Sequence, residues 1–205
     1  MPASKEPSNH SSSRIGNVSG ALLLGGASSR MGSDKAQLEW QGDAWSTRIA
    51  RLLDRLFGET LLIGGNPAPD APGRRVDDLP GPACALRGLV TALEAASSER
   101  VLVVATDLPL LEVDLLLALT AWPEADAVVP VDAHGEQPLC AIYRREACLP
   151  VAHARLEANQ LALRGWLDEL QTSRVALSAF GFDTEEAAVL TNVNTPQELA
   201  ILEAR

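Results

Sequence analysis

Residues 20–35 read GALLLGGASSRMGSDK, and we expect this stretch to determine both the fold and the chemistry of the chain. The apolar run Val18–Leu24 predicts a buried parallel strand. The glycines after it let the backbone turn and bring N–H groups close to a ligand. Because Arg30 and Lys35 add positive charge at the same end, the stretch suits the phosphates of a nucleoside triphosphate with Mg²⁺.

Two common nucleotide-binding loops do not fit this stretch. A Walker A loop needs G-x-x-x-x-G-K-[ST], but Gly32 is not followed by lysine and Lys35 is not followed by Ser or Thr. The dinucleotide fingerprint G-x-G-x-x-G does not match the spacing of Gly25, Gly26 and Gly32. The stretch resembles instead the nucleotidyltransferase pattern L-x-G-G-x-S-x-R-M-G-x-D-K, beginning at Leu23. The alternative, a glycine-rich turn with incidental charges, requires several independent accidents.

Composition limits the class of protein. The 205 residues are 46% apolar, enough for one domain with a sizeable core, so we expect a disordered tail over 1–17 and a folded domain over 18–205. The tail lacks the apolar core of a signal peptide, and no apolar run reaches the roughly 20 residues of a membrane span. A net charge of −10 argues against general nucleic-acid binding.

The cysteines and histidines argue against a zinc site, a histidine-based metal site and a disulfide framework. Cys84, Cys140 and Cys148 are an odd number without C-x-x-C spacing, and the histidines do not cluster. We therefore expect buried thiols in a reducing compartment and a cytoplasmic protein.

Helix and strand signals alternate along the chain. Ser46–Phe57 predicts a helix, Arg100–Thr106 a central parallel strand, and Pro138–Tyr143 a strand antiparallel to its neighbours. Val189–Val193 predicts a last short strand, and Pro196–Glu203 a closing helix. The pattern predicts a single three-layer α/β/α Rossmann-like domain with a mostly parallel sheet, which binds ligands beyond the carboxyl ends of its strands.

Asp107 follows the most apolar strand directly, so its carboxylate should emerge at the ligand edge of the sheet. Mg²⁺ prefers oxygen ligands and usually shares them with substrate phosphates. The alternative is that Asp107 caps the following turn. The glycine loop expected at the same edge favours the metal ligand.

Asp77 and Asp78 precede a Leu-Pro-Gly-Pro turn. A carboxylate can accept two hydrogen bonds from the N1–H and N2–H₂ edge of guanine. A solvated turn is the alternative, and the sequence does not choose between the two aspartates.

Asn192 and Asn194 lie two positions apart, which puts both on one face of an extended segment. Thr195 suits the cap of a helix with Pro196 at its first position. Capping explains Thr195 but not both amides, so we expect a ligand role. The alternative is that the asparagines only shape the turn.

These motifs together resemble the molybdenum cofactor guanylyltransferases and the wider MobA-like NTP transferase family. The resemblance spans roughly residues 18–203 and rests on five motifs: Leu23–Lys35, Gly81-Pro82, Thr106-Asp107-Leu108-Pro109, Gln137-Pro138-Leu139 and Asn192-Val193-Asn194-Thr195-Pro196. It implies transfer of GMP from GTP to the terminal phosphate of molybdopterin, with Mg²⁺ as cofactor and pyrophosphate as the leaving group. It also makes molybdoenzyme maturation proteins candidate partners.

Site residues follow from the resemblance by position. In the glycine loop it implies GTP contacts by Leu23, Leu24, Gly25 and Lys35. Asp107 would bind GTP and Mg²⁺, and Asp77, or its rival Asp78, would face the base. Asn192 and Asn194 would face the pterin or the metal.

The expected reaction needs positioning and charge neutralisation rather than a covalent nucleophile. We expect Arg30, Lys35 and the loop amides, including that of Gly26, to hold the phosphates, with Asp107 on Mg²⁺. Arg30, Lys35 and Asp107 are thus the expected catalytic residues. Three alternatives stay open: a molybdopterin cytidylyltransferase, a sugar- or alcohol-phosphate nucleotidyltransferase, and a non-catalytic nucleotide-binding sensor.

Overall fold

The computed structural model of the chain describes residues 14–25, 39–40, 43–182, 188–193 and 198. The strands are β1 (Ile15–Leu23), β2 (Glu39–Trp40), β3 (Asp43–Ala44), β4 (Phe57–Ile63), β5 (Arg74–Val76), β6 (Arg100–Ala105), β7 (Ala127–Asp132), β8 (Gly135–Glu136), β9 (Cys140–Arg144) and β10 (Thr172–Ala176). The helices are α1 (Trp45–Leu56), α2 (Ala85–Ala95), α3 (Val113–Ala121), α4 (Arg145–Glu157) and α5 (Leu163–Leu167). In the described part of the chain, no helix combines the length and the apolar character that crossing a membrane requires.

The main sheet is mixed but mostly parallel. Its strands follow the spatial order β10-β7-β9-β6-β1-β4-β5, and β8 pairs with β7. The β6-β1-β4-β5 half is parallel throughout, and β10 is parallel to β7. β9 runs antiparallel between β6 and β7, as its position after a tight turn allows. The mostly parallel sheet and its antiparallel strand confirm the prediction.

Helices cover both faces of the sheet. Because successive strand side chains point to opposite faces, Leu22 and Leu62 pack on the side of α1 and α3. Leu23 and Leu61 pack on the side of α2, α4 and α5. All four side chains are buried, and each contributes about 1.5–3 kcal/mol relative to an exposed position. This arrangement confirms the three-layer α/β/α fold.

The first strand begins earlier than expected. Ile15 pairs with Phe57 of β4, so residues 15–17, which were expected in the tail, belong to β1. Exposed residues in this short extension carry no apolar pattern, which is why the sequence predicted a start at Val18. Residues 1–13 of the expected tail lie outside the described residues.

Two further segments differ from expectation. The strand predicted at Val189–Val193 is wrong, because Ala188–Leu190 forms a 3-10 turn, and the Val189 and Leu190 side chains enter the core. β5 was not predicted, because a three-residue strand with two exposed arginines carries no periodic signal. The predicted helix Pro196–Glu203 falls outside the described residues, apart from Glu198.

Candidate active site

Four adjacent parallel strands end on the same side of the sheet. We call the side where these strands end the carboxyl edge, and the side where they begin the amino edge. Leu23 of β1 pairs with Ile63 of β4 and with Ala105 of β6. Ile63 in turn pairs with Val76 of β5. The residues that follow these strands therefore meet at the carboxyl edge: Leu24-Gly25, Gly64-Gly65, Asp77-Asp78 and Thr106-Asp107.

Leu23 and Leu24 offer only backbone groups to a ligand. Their side chains are 5% and 4% exposed and lie in opposite core layers. The Leu24 N–H donates to the Ile63 carbonyl at 2.9 Å, which continues the pairing of β1 with β4 by one residue. Gly65 packs tightly against this point, since a Cβ there would come within 2.7 Å of the Leu24 Cβ. The end of β1 is thus fixed before the glycine loop begins.

Four of the predicted site residues lie outside the described residues: Gly26, Arg30, Lys35 and Asn194. Their roles stay predictions. Gly25, the first glycine of the loop, follows β1 at the carboxyl edge, and residues 26–38 lie outside the described residues.

The Asp78 carboxylate lies over three glycines that come from three different segments. A Cβ at Gly64 would come within 2.3 Å of Asp78 Oδ2, and one at Gly25 within 3.1 Å of the same atom. A Cβ at Gly88, in the first turn of α2, would lie 3.7 Å from Oδ1. Gly64 has a φ of 61°, which also favours glycine there. The glycines leave room for this carboxylate where β1 and β4 end.

The surroundings of Asp78 disfavour its charge. Burial raises the pKa of this carboxyl above its usual value, while the charge of Arg87 opposes the rise and that of Asp77 adds to it. Asp78 is exposed to solvent and its carboxylate is only partly desolvated, and N–H donors that a ligand brings would stabilise its charge. The contacts with Gly25 and Gly64 place the Asp78 carboxylate at the ends of β1 and β4. Which of the two aspartates would face the base stays a prediction.

Arg87 anchors the loop that follows Asp78. Its Nε donates to the Pro82 carbonyl at 2.9 Å, and its Nη1 donates to the Pro80 carbonyl at 2.5 Å. Sequence reasoning missed both Arg87 and Gly88. The Gly-Pro pair predicts the turn from sequence. Only the packing of α2 against the loop shows that Arg87 holds the loop in place.

Asp107 is half-buried and lies two residues after the end of β6. Its backbone carbonyl accepts a hydrogen bond from the Val193 N–H at 2.9 Å. Burial, and to a smaller extent the charge of Asp107, raises the pKa of the Cys140 thiol to about 12. Two residues before Asp107, the Ala105 N–H donates to the Leu139 carbonyl at 2.8 Å, so the segment that carries Asp107 leaves the sheet beside the start of β9.

The segment at 188–193 returns to the carboxyl edge. Val193 is buried and bonded to Asp107, and the adjacent Asn192 is exposed. The structure therefore brings Asn192 to the neighbourhood of Asp107, although the two are far apart in sequence.

A metal ion at the carboxyl edge would need oxygen ligands from a bound nucleotide as well as from the protein. Among the described residues, no three His, Cys, Asp or Glu side chains form a group that could hold a metal ion. The oxygen donors of Asp107 nevertheless fit Mg²⁺, which commonly takes one or two carboxylates together with substrate phosphate oxygens. Asp107 is thus chemically suited to share a magnesium ion with a nucleotide.

Known proteins resemble this chain in sequence and in fold. A family model described as "MobA-like NTP transferase domain" matches residues 20–175. The chain is 34% identical to the "Probable molybdenum cofactor guanylyltransferase" of Chloroflexus aggregans, over 91% of this chain and 94% of that protein. It is 32% identical to the "Molybdenum cofactor guanylyltransferase" of Xanthomonas euvesicatoria pv. vesicatoria, over 87% of this chain and 90% of that protein.

A solved structure supports the fold. Molybdopterin-guanine dinucleotide biosynthesis protein A from Archaeoglobus fulgidus superposes with a TM-score of 0.77. The match covers 91% of this chain and 97% of that one, at 20% sequence identity. At that identity the likeness establishes the α/β architecture alone.

Proposed function

The chain belongs to the MobA-like NTP transferase family, and from this premise we propose that it transfers GMP from GTP to the terminal phosphate of molybdopterin. Membership makes it a nucleotidyltransferase. The identity of the two substrates is the proposal, supported by guanylyltransferase relatives that are 34% and 32% identical.

One observation carries this proposal, namely the order of groups along the carboxyl edge. Asp78 lies over the ends of β4 and β1, Gly25 of the glycine loop follows β1, and Asp107 follows β6. A nucleotide lying along this edge would meet a carboxylate for its base, then backbone amides for its phosphates. It would finally meet a second carboxylate suited to a metal ion at the reacting phosphate.

The proposed base preference rests on Asp78. Guanine presents two adjacent donors, N1–H and N2–H₂, which a carboxylate can accept together. Adenine and cytosine do not offer that pair, so binding either would leave the Asp78 carboxylate without one of the two donors. Leu23, Leu24 and Gly25 would contribute backbone contacts beside it.

In the proposed reaction, an oxygen of the acceptor's terminal phosphate attacks the α-phosphorus of GTP. The bond from the α-phosphorus to the bridging oxygen breaks, and its electron pair leaves with pyrophosphate. The acceptor oxygen is already anionic, so no covalent nucleophile is needed. Arg30, Lys35 and the Gly26 amide would hold the phosphates and neutralise the charge that develops on the leaving group. When bound, Mg²⁺ would supply further positive charge, and we propose Asp107 as its protein ligand.

The acceptor and the cellular setting complete the proposal. Asn192, which lies near Asp107, and Asn194 would contact the pterin or the metal. The free thiols of Cys84, Cys140 and Cys148 suit a reducing cytoplasm. Molybdoenzyme maturation proteins would then receive the product there.

Pyrophosphate release tests the proposal. The chain is incubated with each of the four ribonucleoside triphosphates and Mg²⁺, with and without molybdopterin, and EDTA-treated samples serve as controls. We expect release with GTP and molybdopterin together. A preference for CTP would identify a cytidylyltransferase, and release with sugar phosphates in place of molybdopterin would identify another acceptor. Binding of GTP without release under any condition would contradict the proposed activity.

A further inference from the structure

Gln137 lies at the carboxyl edge on the far side of Asp107 from Asp78. The strand order places β9 next to β6, whereas β4 and β5 lie beyond β1 on the other side. The Ala105 N–H donates to the Leu139 carbonyl at 2.8 Å, which continues the pairing of β6 with β9. Asp107 follows this pair and Gln137 precedes it, so both leave the sheet at the same point.

Asp132 fixes the orientation of the Gln137 side chain. The Gln137 Nε2 donates to Asp132 Oδ2 at 2.9 Å. The other carboxylate oxygen, Oδ1, accepts the His134 and Gly135 N–H groups at 2.7 and 3.0 Å. Because a carboxylate only accepts, it determines which end of the amide faces it. The bond to Asp132 uses one N–H of an amide that has two N–H groups and an oxygen.

The backbone around Gln137 is held firmly. The Gln137 N–H donates to the Pro130 carbonyl at 2.9 Å, and its carbonyl accepts the Cys140 N–H at 3.0 Å. The hydroxyl of the buried Tyr143 donates to the Pro138 carbonyl at 2.6 Å. A half-buried amide on such a rigid support has the preorganisation that a recognition site needs.

The remaining part of the carboxyl edge suits an acceptor. In the proposed reaction, the base lies over β4 and the phosphates lie at the loop that leaves β1. In-line attack brings the acceptor from the side opposite the leaving pyrophosphate. The start of β9, next to Asp107, belongs with the ends of β7 and β10 to the part of the described edge that neither the base nor the phosphates would occupy.

We propose that Gln137, oriented by Asp132, hydrogen-bonds the acceptor and helps to select a pterin phosphate; this inference rests on the proposed function. A pterin ring presents donors and acceptors side by side in one plane, and a fixed amide matches that pattern. Asp132 acts as a positioning residue, since it reaches the acceptor only through Gln137.

Gln137→Ala tests the contact, with Gln171→Ala as the matched control. Gln171 is an exposed glutamine that precedes β10 at the amino edge. We expect Gln137→Ala to raise the acceptor KM about tenfold, equivalent to about 1.4 kcal/mol, and to leave the Kd for GTP unchanged. The control should keep both wild-type values.

Asp132→Asn tests the positioning role. Asparagine keeps an oxygen for the hairpin N–H groups but sets an N–H₂ group against the Gln137 amide, which would have to turn over. We expect the acceptor KM to rise in this variant too. The double variant should be no worse than Gln137→Ala alone, because both changes remove the same contact.

An unchanged acceptor KM in Gln137→Ala would overturn the inference. So would a lower melting temperature accompanied by equal losses of GTP and acceptor binding, since that pattern indicates a structural role. Additive losses in the double variant would overturn the coupling to Asp132. Failure of the proposed function itself is distinguishable, because the wild-type chain would then release no pyrophosphate with GTP and molybdopterin.

Discussion

Glu59 and Asp78 lie at opposite ends of the β4–β5 pair, and the two carboxylates have opposite surroundings. Glu59 accepts hydrogen bonds from the hydroxyls of Ser19 and Ser97 at 2.6 and 2.8 Å. The Ser97 N–H and the Arg74 guanidinium add bonds of 2.8 and 3.1 Å. Asp78 lies over glycines, which bring no side-chain donors.

The two pKa values reflect this difference. Burial by itself would raise the pKa of Glu59, but the bonds from Ser19, Ser97 and Arg74 outweigh it and lower the pKa to about 2. Burial raises the pKa of Asp78. A carboxylate that the protein supplies with donors stabilises the fold, whereas a carboxylate without such donors is suited to a ligand that brings its own. Carboxylates at the amino edge should therefore govern stability, and those at the carboxyl edge activity.

The largest expected effect is the loss of activity in Asp107→Asn. Losing the charge of the proposed metal ligand should cost at least about 3 kcal/mol of transition-state stabilisation, or roughly a hundredfold in rate. The melting temperature should stay near that of the wild type, because asparagine keeps the size of the side chain and the bond from the Val193 N–H to the Asp107 backbone carbonyl is retained. Steady-state pyrophosphate release and thermal melting measure the two quantities. Asp114→Asn, an exposed substitution on α3, is the control. Near-normal Mg²⁺-dependent turnover in Asp107→Asn would show that Asp107 is not the proposed metal ligand.

Asp78→Asn should weaken the preference for GTP by about thirtyfold, or roughly 2 kcal/mol, because an amide cannot accept both donors of guanine. Asp77→Asn is the matched control and should change the preference less than about threefold. Competition between GTP and CTP measures the effect. A larger loss in Asp77→Asn would reverse the assignment of the two aspartates.

Glu59→Gln should destabilise the fold without changing the reaction. The amide retains the size of the side chain but loses charge and places N–H₂ against donors, so we expect a loss of about 2 kcal/mol. For a chain of this length that corresponds to roughly 4–8 °C in Tm. Urea unfolding and an assay well below the Tm test both parts, with the exposed Glu157→Gln as control. A changed KM for GTP in Glu59→Gln would contradict the expectation that carboxylates at the amino edge govern stability and those at the carboxyl edge govern activity.

The smallest effect is an acid-dependent loss of stability. The pKa of Glu59 falls from 4.5 in the unfolded chain to about 2 in the folded one, so the unfolded state takes up the proton first as the pH falls. The stabilisation is fully present above about pH 4.5 and declines toward pH 2. Near pH 4 we expect the wild type to have lost about 1 kcal/mol that Glu59→Gln does not lose. Parallel slopes of unfolding free energy against pH for the two proteins would contradict this.

Much of the fold could be predicted from the sequence, because the apolar patterns are strong. The helical spacing of Ile49 and Leu53 predicts α1, whose observed span is Trp45–Leu56. The continuous apolar run in β6 predicts a strand buried on both faces. By contrast, β5 owes its strand conformation to pairing with β4, and no local pattern reveals such a partner.

The site was less predictable, since its parts come from distant segments. The sequence identifies Asp107 because it directly follows a recognisable strand. It cannot choose between Asp77 and Asp78, because the choice depends on space that Gly25, Gly64 and Gly88 create together. The role proposed for Gln137 likewise needs the antiparallel pairing of β9, which brings Asp132 and Asp107 to either side of it.

The reversed direction of β9 has a consequence for how the molecule could be re-engineered. A parallel strand contributes one loop to the carboxyl edge, the one that follows it. An antiparallel strand contributes the loop that precedes it, so β7 and β9 send a single hairpin, residues 132–139, to that edge. Residues inserted at the exposed tip of this hairpin, Ala133-His134, would lengthen the hairpin beside Asp107 without entering either helical layer. Acceptor preference could thus be redesigned there while the nucleotide half keeps its sequence.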